Sequence, residues 1–256
     1  MISPLASIHP DARIGENVEI GPFTTISADV EIGEGTWIGP NVTVMDGARI
    51  GAYCRVFPGA VLSAIPQDLK FQGENTTVEI GDRSTIRECV TINRGTKAYG
   101  KTVVGQDCLI MAYVHIAHDC IIGNHVILVN SVALAGHVEI GDYGIVSGLS
   151  AVHQFVKIGA HVMIGGGAMV RKDVPPFITA AGEPLAYAGV NSVGLKRRNF
   201  SQEDINEIQT LYRTLYQSGM NVSQAVNRIK EQYPNRPLAD LILSFIEQSD
   251  RGLIRK

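Results

Sequence analysis

Aliphatic residues recur at every sixth position along most of this chain. The series runs Ile8, Ile14, Ile20, Ile26, Ile32, Ile38, Val44, Ile50, Val56, Leu62 and resumes at Ile80, Ile86, Ile92. It continues through Val104, Ile110, Ile116, Ile122, Leu128, Leu134, Ile140, Val146, Val152, Ile158, Ile164 and Val170. Only Asp68, Glu74 and Ala98 break it, so 25 of 28 slots are filled, where a hydrophobic content of 45% would fill about 13 by chance. Period six is neither helical nor plain strand alternation. A small residue often follows the aliphatic, as at Ile14-Gly15, Ile122-Gly123 and Ile140-Gly141. An inward aliphatic followed by a residue that lets the backbone turn describes one short strand and one corner. Three such units make a triangular coil of about eighteen residues, and the slots predict about nine to ten coils. At roughly 4.8 Å per coil the prism is about 45 Å long. The crossover rule favours a right-handed coil, but periodicity alone does not fix the hand.

Two segments interrupt the pattern, residues 63–79 (SAIPQDLKFQGENTTVE) and 94–103 (RGTKAYGKTV). Each replaces whole hexads, because the phase resumes unshifted. Excursions from a rigid scaffold are common seats of function. Beyond Val174-Pro175-Pro176 the period changes. Ser201 with Asp204 predicts a helix N-cap, and Ile205, Ile208, Leu211, Tyr212, Leu215 and Tyr216 form a helical apolar stripe. Further helices are predicted over 222–233 and 238–249, packing on the last coil or on a neighbouring subunit. The fold class is therefore mainly β, with a hexapeptide-repeat β-helix over 1–185 and a helical domain over 186–256.

Composition narrows the function. A net charge of -3 argues against nucleic-acid binding. No apolar run reaches membrane-spanning length and the N-terminus reads as no secretory signal, so a cytoplasmic protein is expected. Cys54, Cys89, Cys108 and Cys120 form no C-x-x-C pair, and buried thiols are expected of those inside the repeat.

Of seven histidines, His9, His125 and His161 read as corner or structural residues, while His115, His118, His137 and His153 cluster within two or three rungs. Residue n + 18 lies one rung above residue n. Gly136 therefore sits above His118, and His137 above Asp119. A general-base candidate, an orienting carboxylate and a glycine N–H for an oxyanion fall in one patch. The bland alternative is a solvated polar face. Other candidates are Gln67, Asp68 and Lys70 in the first excursion, and Gln154 beside His153. Lys196-Arg197-Arg198 is either a solvated charge run or an anion site. Gly165-Gly166-Gly167 either packs a tight corner or leaves a groove open.

These hexads resemble the left-handed β-helix acyltransferase superfamily. The segments QDLK (67–70), HIAHDC (115–120), LAGHVEIGD (134–142), AVHQF (151–155), KDVPPF (172–177), GVN (189–191), GLKRRNFS (194–201) and RGLIR (251–255) are similar to the UDP-N-acetylglucosamine acyltransferases that open lipid A synthesis. The resemblance spans the whole chain in order. It implies a left-handed parallel β-helix, a homotrimer with sites between subunits, and acyl transfer from an (R)-3-hydroxyacyl thioester on acyl carrier protein to the 3-OH of UDP-N-acetylglucosamine. His118 matches the general base, Asp119 its orienter and the Gly136 N–H the oxyanion donor. Asp68 and Lys70 match residues that hold the sugar and nucleotide. His115, His137, His153 and Gln154 match the donor and sugar pocket. Asn191, Arg197 and Arg198 match nucleotide and diphosphate contacts, and Gly166 matches a position bearing on acyl length. Asn93 stands where the family usually has histidine, and Val193 where it often has glutamate. No metal or other cofactor is implied. Basic groups such as Arg171, Lys172 and Lys196 are expected to meet an acidic carrier protein. Three rivals remain: a zinc hydratase using His115, His118 and His137 from adjacent subunits, a non-catalytic structural or sugar-nucleotide-binding scaffold, and a related acyltransferase that makes an N-acyl product or uses acetyl-CoA.

Overall fold

The computed structural model describes residues 1–255. Each short strand hydrogen-bonds to the strand one coil away, giving three parallel faces. Face one runs from Ser7–Ile8 to Met169–Val170, and face two from Arg13–Ile14 to Lys157–Ile158. Face three runs from Glu19–Ile20 to Met163–Ile164 and is extended by Ile178–Ala181 and the antiparallel Ala186–Val190. Ile116 pairs with Leu134 and Ile122 with Ile140, the register of eighteen expected from the hexads. The solenoid is a left-handed parallel β-helix. The preference for right-handed crossovers applies to long connections packed on a sheet; here each link is a tight corner.

Two expectations need correction. The three empty slots lie in the excursions, so only the first 25 strands belong to the solenoid, and these make just over eight coils rather than nine to ten. Nor do the glycines after the aliphatics make the turns. The third residue after most inward aliphatics takes positive φ, as at Asn17 (56°), Asp119 (60°), His137 (62°) and Phe155 (64°). The glycines serve close approach between coils instead: a Cβ on Gly141 would fall 2.6 Å from the Ala160 nitrogen.

The excursions are also shorter than the hexad phase suggests, because strands Val61–Ala64, Thr77–Ile80 and Lys101–Val104 extend into them. The loops proper cover 65–76 and 94–100. Both leave the edge between faces one and two, so they lie against each other at the foot of the same column of corners.

Inward aliphatics from every face fill the core, and Ile86, Ile92, Ile110, Ile116, Leu128 and Leu134 are wholly buried. Four helices close the upper end: α1 (Ser192–Arg197), α2 (Gln202–Gln217), α3 (Val222–Gln232) and α4 (Pro237–Glu247). The capping box at Ser201 and Asp204 forms as expected, but α1 carried no periodic signal and was not foreseen. The buried stripe of α2 seals the last coil, where the Tyr212 hydroxyl donates to the Pro176 carbonyl (2.6 Å). Asp173, fully buried, accepts from the Lys157 N–H (2.8 Å), the Ser249 hydroxyl (2.6 Å) and the Arg251 N–H (3.2 Å), which ties the C-terminal tail to the top coil.

Truncating a mid-stack aliphatic leaves a cavity that rigid neighbouring coils cannot collapse around. Ile116→Ala is expected to cost about 2–5 kcal/mol in denaturant unfolding, and Ile8→Ala, at the half-exposed lower end, clearly less.

Candidate active site

The edge between faces one and two carries three stacked columns. His118, Gly136 and Gln154 form one; Asp119, His137 and Phe155 the next; Ala117, Ala135 and His153 the third. Their order follows from the register of eighteen. Asp119 is fully buried and accepts four hydrogen bonds. The Thr96 N–H (2.9 Å) and Tyr99 N–H (3.3 Å) reach Oδ1, while the Thr96 hydroxyl (2.6 Å) and His118 Nδ1 (2.8 Å) reach Oδ2. Burial pushes this carboxyl up, but the Thr96 hydroxyl, His118, the Thr96 N–H and the nearby His137 outweigh it, so the net shift is downward. An ionised Asp119 accepts, so His118 carries its proton on Nδ1 and turns a free Nε2 lone pair outward.

Gly136 abuts that imidazole: a Cβ there would lie 2.6 Å from His118 Cε1 and 2.8 Å from Nε2. The ring cannot retreat, because Asp119 holds it. Among the described residues no group accepts from the Gly136 N–H, while its neighbours Ala135 and His137 donate to Val152 O and His118 O. A free base nitrogen and an unused backbone donor thus share one pocket.

His137 stacks on Phe155 (centroids 4.5 Å) and meets the edges of His118 (5.2 Å) and Tyr99 (5.3 Å). Its pKa is lowered, chiefly by burial. Its Nδ1, the Asn93 Oδ1 and the Arg94 Nε are buried with no hydrogen-bond partner among the described residues, and all three belong to this edge. Buried polar atoms left unpaired are open to a water or a ligand. His115 lies beside them on face one, bonded through Nδ1 to the Thr91 hydroxyl (2.7 Å), and burial lowers its pKa. His153 and Gln154 are exposed two coils above His115, with the Arg251 guanidinium 3.1 Å from His153 Nδ1.

In the first loop Gln67 and Lys70 are exposed and Asp68 is half-buried; the Asp68 carboxylate accepts from the Lys70 N–H (3.0 Å) and is close enough for its charge to act on His137. The remaining candidates lie elsewhere in the chain. Asn191 caps α1 through its Oδ1 and donates to the His161 carbonyl (2.9 Å), at the edge between faces two and three. The Arg198 guanidinium lies over Tyr143 (4.5 Å) at that same edge, and Arg197 is exposed beside it. Gly166 stands on the third edge, almost three coils above His118. Lys196 belongs with α1, whereas Arg171 and Lys172 top the His118 edge.

The sequence did not reveal Thr96, Tyr99 or Phe155 as parts of this site. Phase arithmetic stops at an excursion, so nothing local placed residues 96 and 99 against residue 119. It also missed the imidazole and aromatic stack of His125, Tyr143, His161 and Phe177.

His118, Asp119 and His137 offer ligand atoms within 4.8 Å of one another. The lone pairs of Asp119 are already filled by N–H and O–H donors, which suits an anion that orients an imidazole better than a metal ligand. Among the described residues His115 does not join this group, so one chain does not assemble the three-histidine set of the zinc rival.

Burial lowers the pKa of His115, His137 and His161. As pH falls through about 6.5 the unfolded chain protonates first, so folding stability drops from there downward. The lowered carboxyl of Asp119 loses its contribution only at far lower pH. Thermal scans are expected to give a midpoint that falls between about pH 7.5 and about pH 5.5; a rise would contradict the burial of neutral imidazoles.

Comparison with known proteins agrees with this layout. The bacterial transferase hexapeptide family (six repeats) matches residues 29–64 and 101–136. The second domain of UDP N-acetylglucosamine O-acyltransferase matches residues 173–254. A relative from Janthinobacterium sp. (strain Marseille), an acyl-[acyl-carrier-protein]–UDP-N-acetylglucosamine O-acyltransferase, is 49% identical over 100% of this chain and 99% of its own. A solved UDP-N-acetylglucosamine acyltransferase from Bacteroides fragilis superposes with a TM-score of 0.98 at 52% identity, covering 100% of both chains. One from Francisella novicida gives 0.96 at 42%, covering 100% of this chain and 94% of that one. Full-length identity at this level, together with the shared β-helix and helical end, places the chain in the family of acyl-[acyl-carrier-protein]–UDP-N-acetylglucosamine O-acyltransferases.

Proposed function

We propose that this protein moves an (R)-3-hydroxyacyl group from acyl carrier protein to the 3-OH of UDP-N-acetylglucosamine, the first step of lipid A biosynthesis. One observation carries the reading: a free imidazole nitrogen, with its other nitrogen held by a buried carboxylate, faces an unpaired backbone N–H. His118 Nε2 takes the proton of the sugar hydroxyl as its oxygen attacks the thioester carbonyl. The Gly136 N–H donates to the tetrahedral oxyanion. The intermediate collapses, the C–S bond breaks, and His118 returns the proton to the leaving thiolate. Asp119 fixes the tautomer and stabilises the imidazolium. Asp68, Lys70, His115, His137, His153 and Gln154 line the substrate, and Gly166 bears on acyl length. Arg171 and Lys172, at the top of the same edge, draw in the acidic carrier, with Lys196 beside them in the assembly. Division into a β-helical unit to residue 185 and a helical unit beyond it fits the change of period.

A homotrimer completes the site. Outward residues in the upper coils are apolar on face three (Leu109, Ile127, Ile145, Met163) and small or apolar on face one (Ala133, Ala151, Met169). Face two at that height carries Glu139 and Lys157 above Ile121, and lower down it carries the Glu79–Lys101 and Arg49–Glu31 ion pairs. Exposed Tyr113 and Leu149 mark the edge where the two apolar faces meet. Three prisms around that edge bury face one of each subunit on face three of the next. The His118 edge then meets the neighbour's Asn191, Arg197 and Arg198, at matching height because Tyr143, under Arg198, is in the same coil as His137. Among the described residues no helix is long and apolar enough to cross a membrane. Four free cysteines and the intracellular nature of both substrates favour the cytoplasm.

Incubation with UDP-N-acetylglucosamine and 3-hydroxyacyl carrier proteins is expected to yield an O-acylated nucleotide sugar by mass analysis. His118→Ala should lose about two to four decades in rate with fold and assembly intact; near-normal turnover would remove His118 as the base. Co-assembled His118→Ala and Arg198→Ala subunits should regain activity that neither has alone, with about a quarter of sites intact at equal mixing. No recovery would place both residues in one subunit's site.

A further inference from the structure

The loop 94–100 supplies three of the four hydrogen bonds to Asp119: two backbone N–H groups and the Thr96 hydroxyl. We infer that this loop is the device that sets the catalytic pair, and that Thr96 is a positioning residue acting on His118 through Asp119. The inference rests on the reading of His118 as general base.

The geometry is over-determined in a way that a solvent loop would not need. Thr96 is buried, and its hydroxyl oxygen donates to Asp119 while accepting from the Ala98 N–H (3.2 Å). Its carbonyl accepts from the Gly100 N–H (2.8 Å), which closes the loop into a knuckle. Gly95, just before it, is pinned on both sides: its N–H donates to the Thr77 carbonyl (3.2 Å), and its carbonyl accepts from the Thr76 hydroxyl (2.7 Å). Thr76 ends the first loop. A chain of contacts therefore runs from the first loop through Gly95 and Thr96 to Asp119 and His118. From the other side the Thr102 hydroxyl accepts from the Asp119 N–H (2.9 Å) and fixes its backbone.

A buried carboxylate with no cation beside it must be neutralised by directed donors or it will take up a proton. A protonated Asp119 would no longer require the His118 proton to sit on Nδ1, and the base nitrogen would be lost. Among the described residues, Thr96 is the only side chain other than His118 and His137 that the structure brings to this carboxylate, so its hydroxyl is the adjustable element. Tyr99 extends the same loop to the second imidazole, its ring roughly perpendicular to that of His137.

The test is a double-mutant cycle in the full-length protein. Thr96→Val keeps the shape and removes the donor; kcat is expected to fall roughly tenfold to a hundredfold, with KM for UDP-N-acetylglucosamine changed by less than about threefold. Thr96→Ser should recover most of that loss. In an Asp119→Asn background Thr96→Val should cost little more, since its effect passes through the carboxylate. If Thr96→Val fails to fold, Thr96→Ala against Thr96→Ser carries the same comparison. Equal losses in both backgrounds, or wild-type kcat in the valine variant while His118→Ala is dead, would overturn the inference. Full activity in His118→Ala would instead overturn the underlying assignment of the base.

Discussion

Backbone hydrogen bonds between successive coils, about 4.8 Å apart, constrain every other feature of this molecule. Where no excursion intervenes they force residue n and residue n + 18 into one column, so a side chain's neighbours are dictated by phase rather than by local sequence. The aliphatic stack is the energetic reason for the coil. The register is what turns a one-dimensional repeat into a site, because it sets Gly136 on His118 and His137 over Asp119. Glycine at 136 is a consequence of that spacing: the ring below leaves no room for a Cβ.

The edge between faces one and two concentrates what the rest of the prism lacks. Both excursions leave from it, three orphaned buried polar atoms lie on it, and its uncompensated carboxylate is held only by directed donors. Such polar burial is costly in a solenoid otherwise filled with aliphatics. Its persistence makes sense if the stored order is used to hold an imidazole tautomer and to present a backbone N–H to charge that develops during reaction.

Much of this was legible from residue spacing. Period six specifies the three-faced coil, and eighteen-residue stacking places His118, Asp119, Gly136 and His137 together from spacing alone. Legibility ended where phase ended. Residues 96 and 99 sit in a segment with no hexad register, so their grip on Asp119 was hidden. Periodicity encodes neither the hand of the coil nor the positive φ at corner residues such as Asn17 and Asp119. Asn191, Arg197 and Arg198 matched the family's motif, yet they lie on a different edge from His118, and the motif alone says nothing of the apolar faces one and three through which the proposed trimer joins the two edges.

The most direct measurement is a crystal structure with the acylated nucleotide sugar bound. The acyl-transfer reading predicts the sugar's 3-oxygen within about 3 Å of His118 Nε2 and the ester carbonyl oxygen within about 3 Å of the Gly136 nitrogen, with a neighbouring subunit's Arg198 near the diphosphate. A product bound with its ester on another edge, or with His118 Nε2 facing away from it, would contradict the account at its centre.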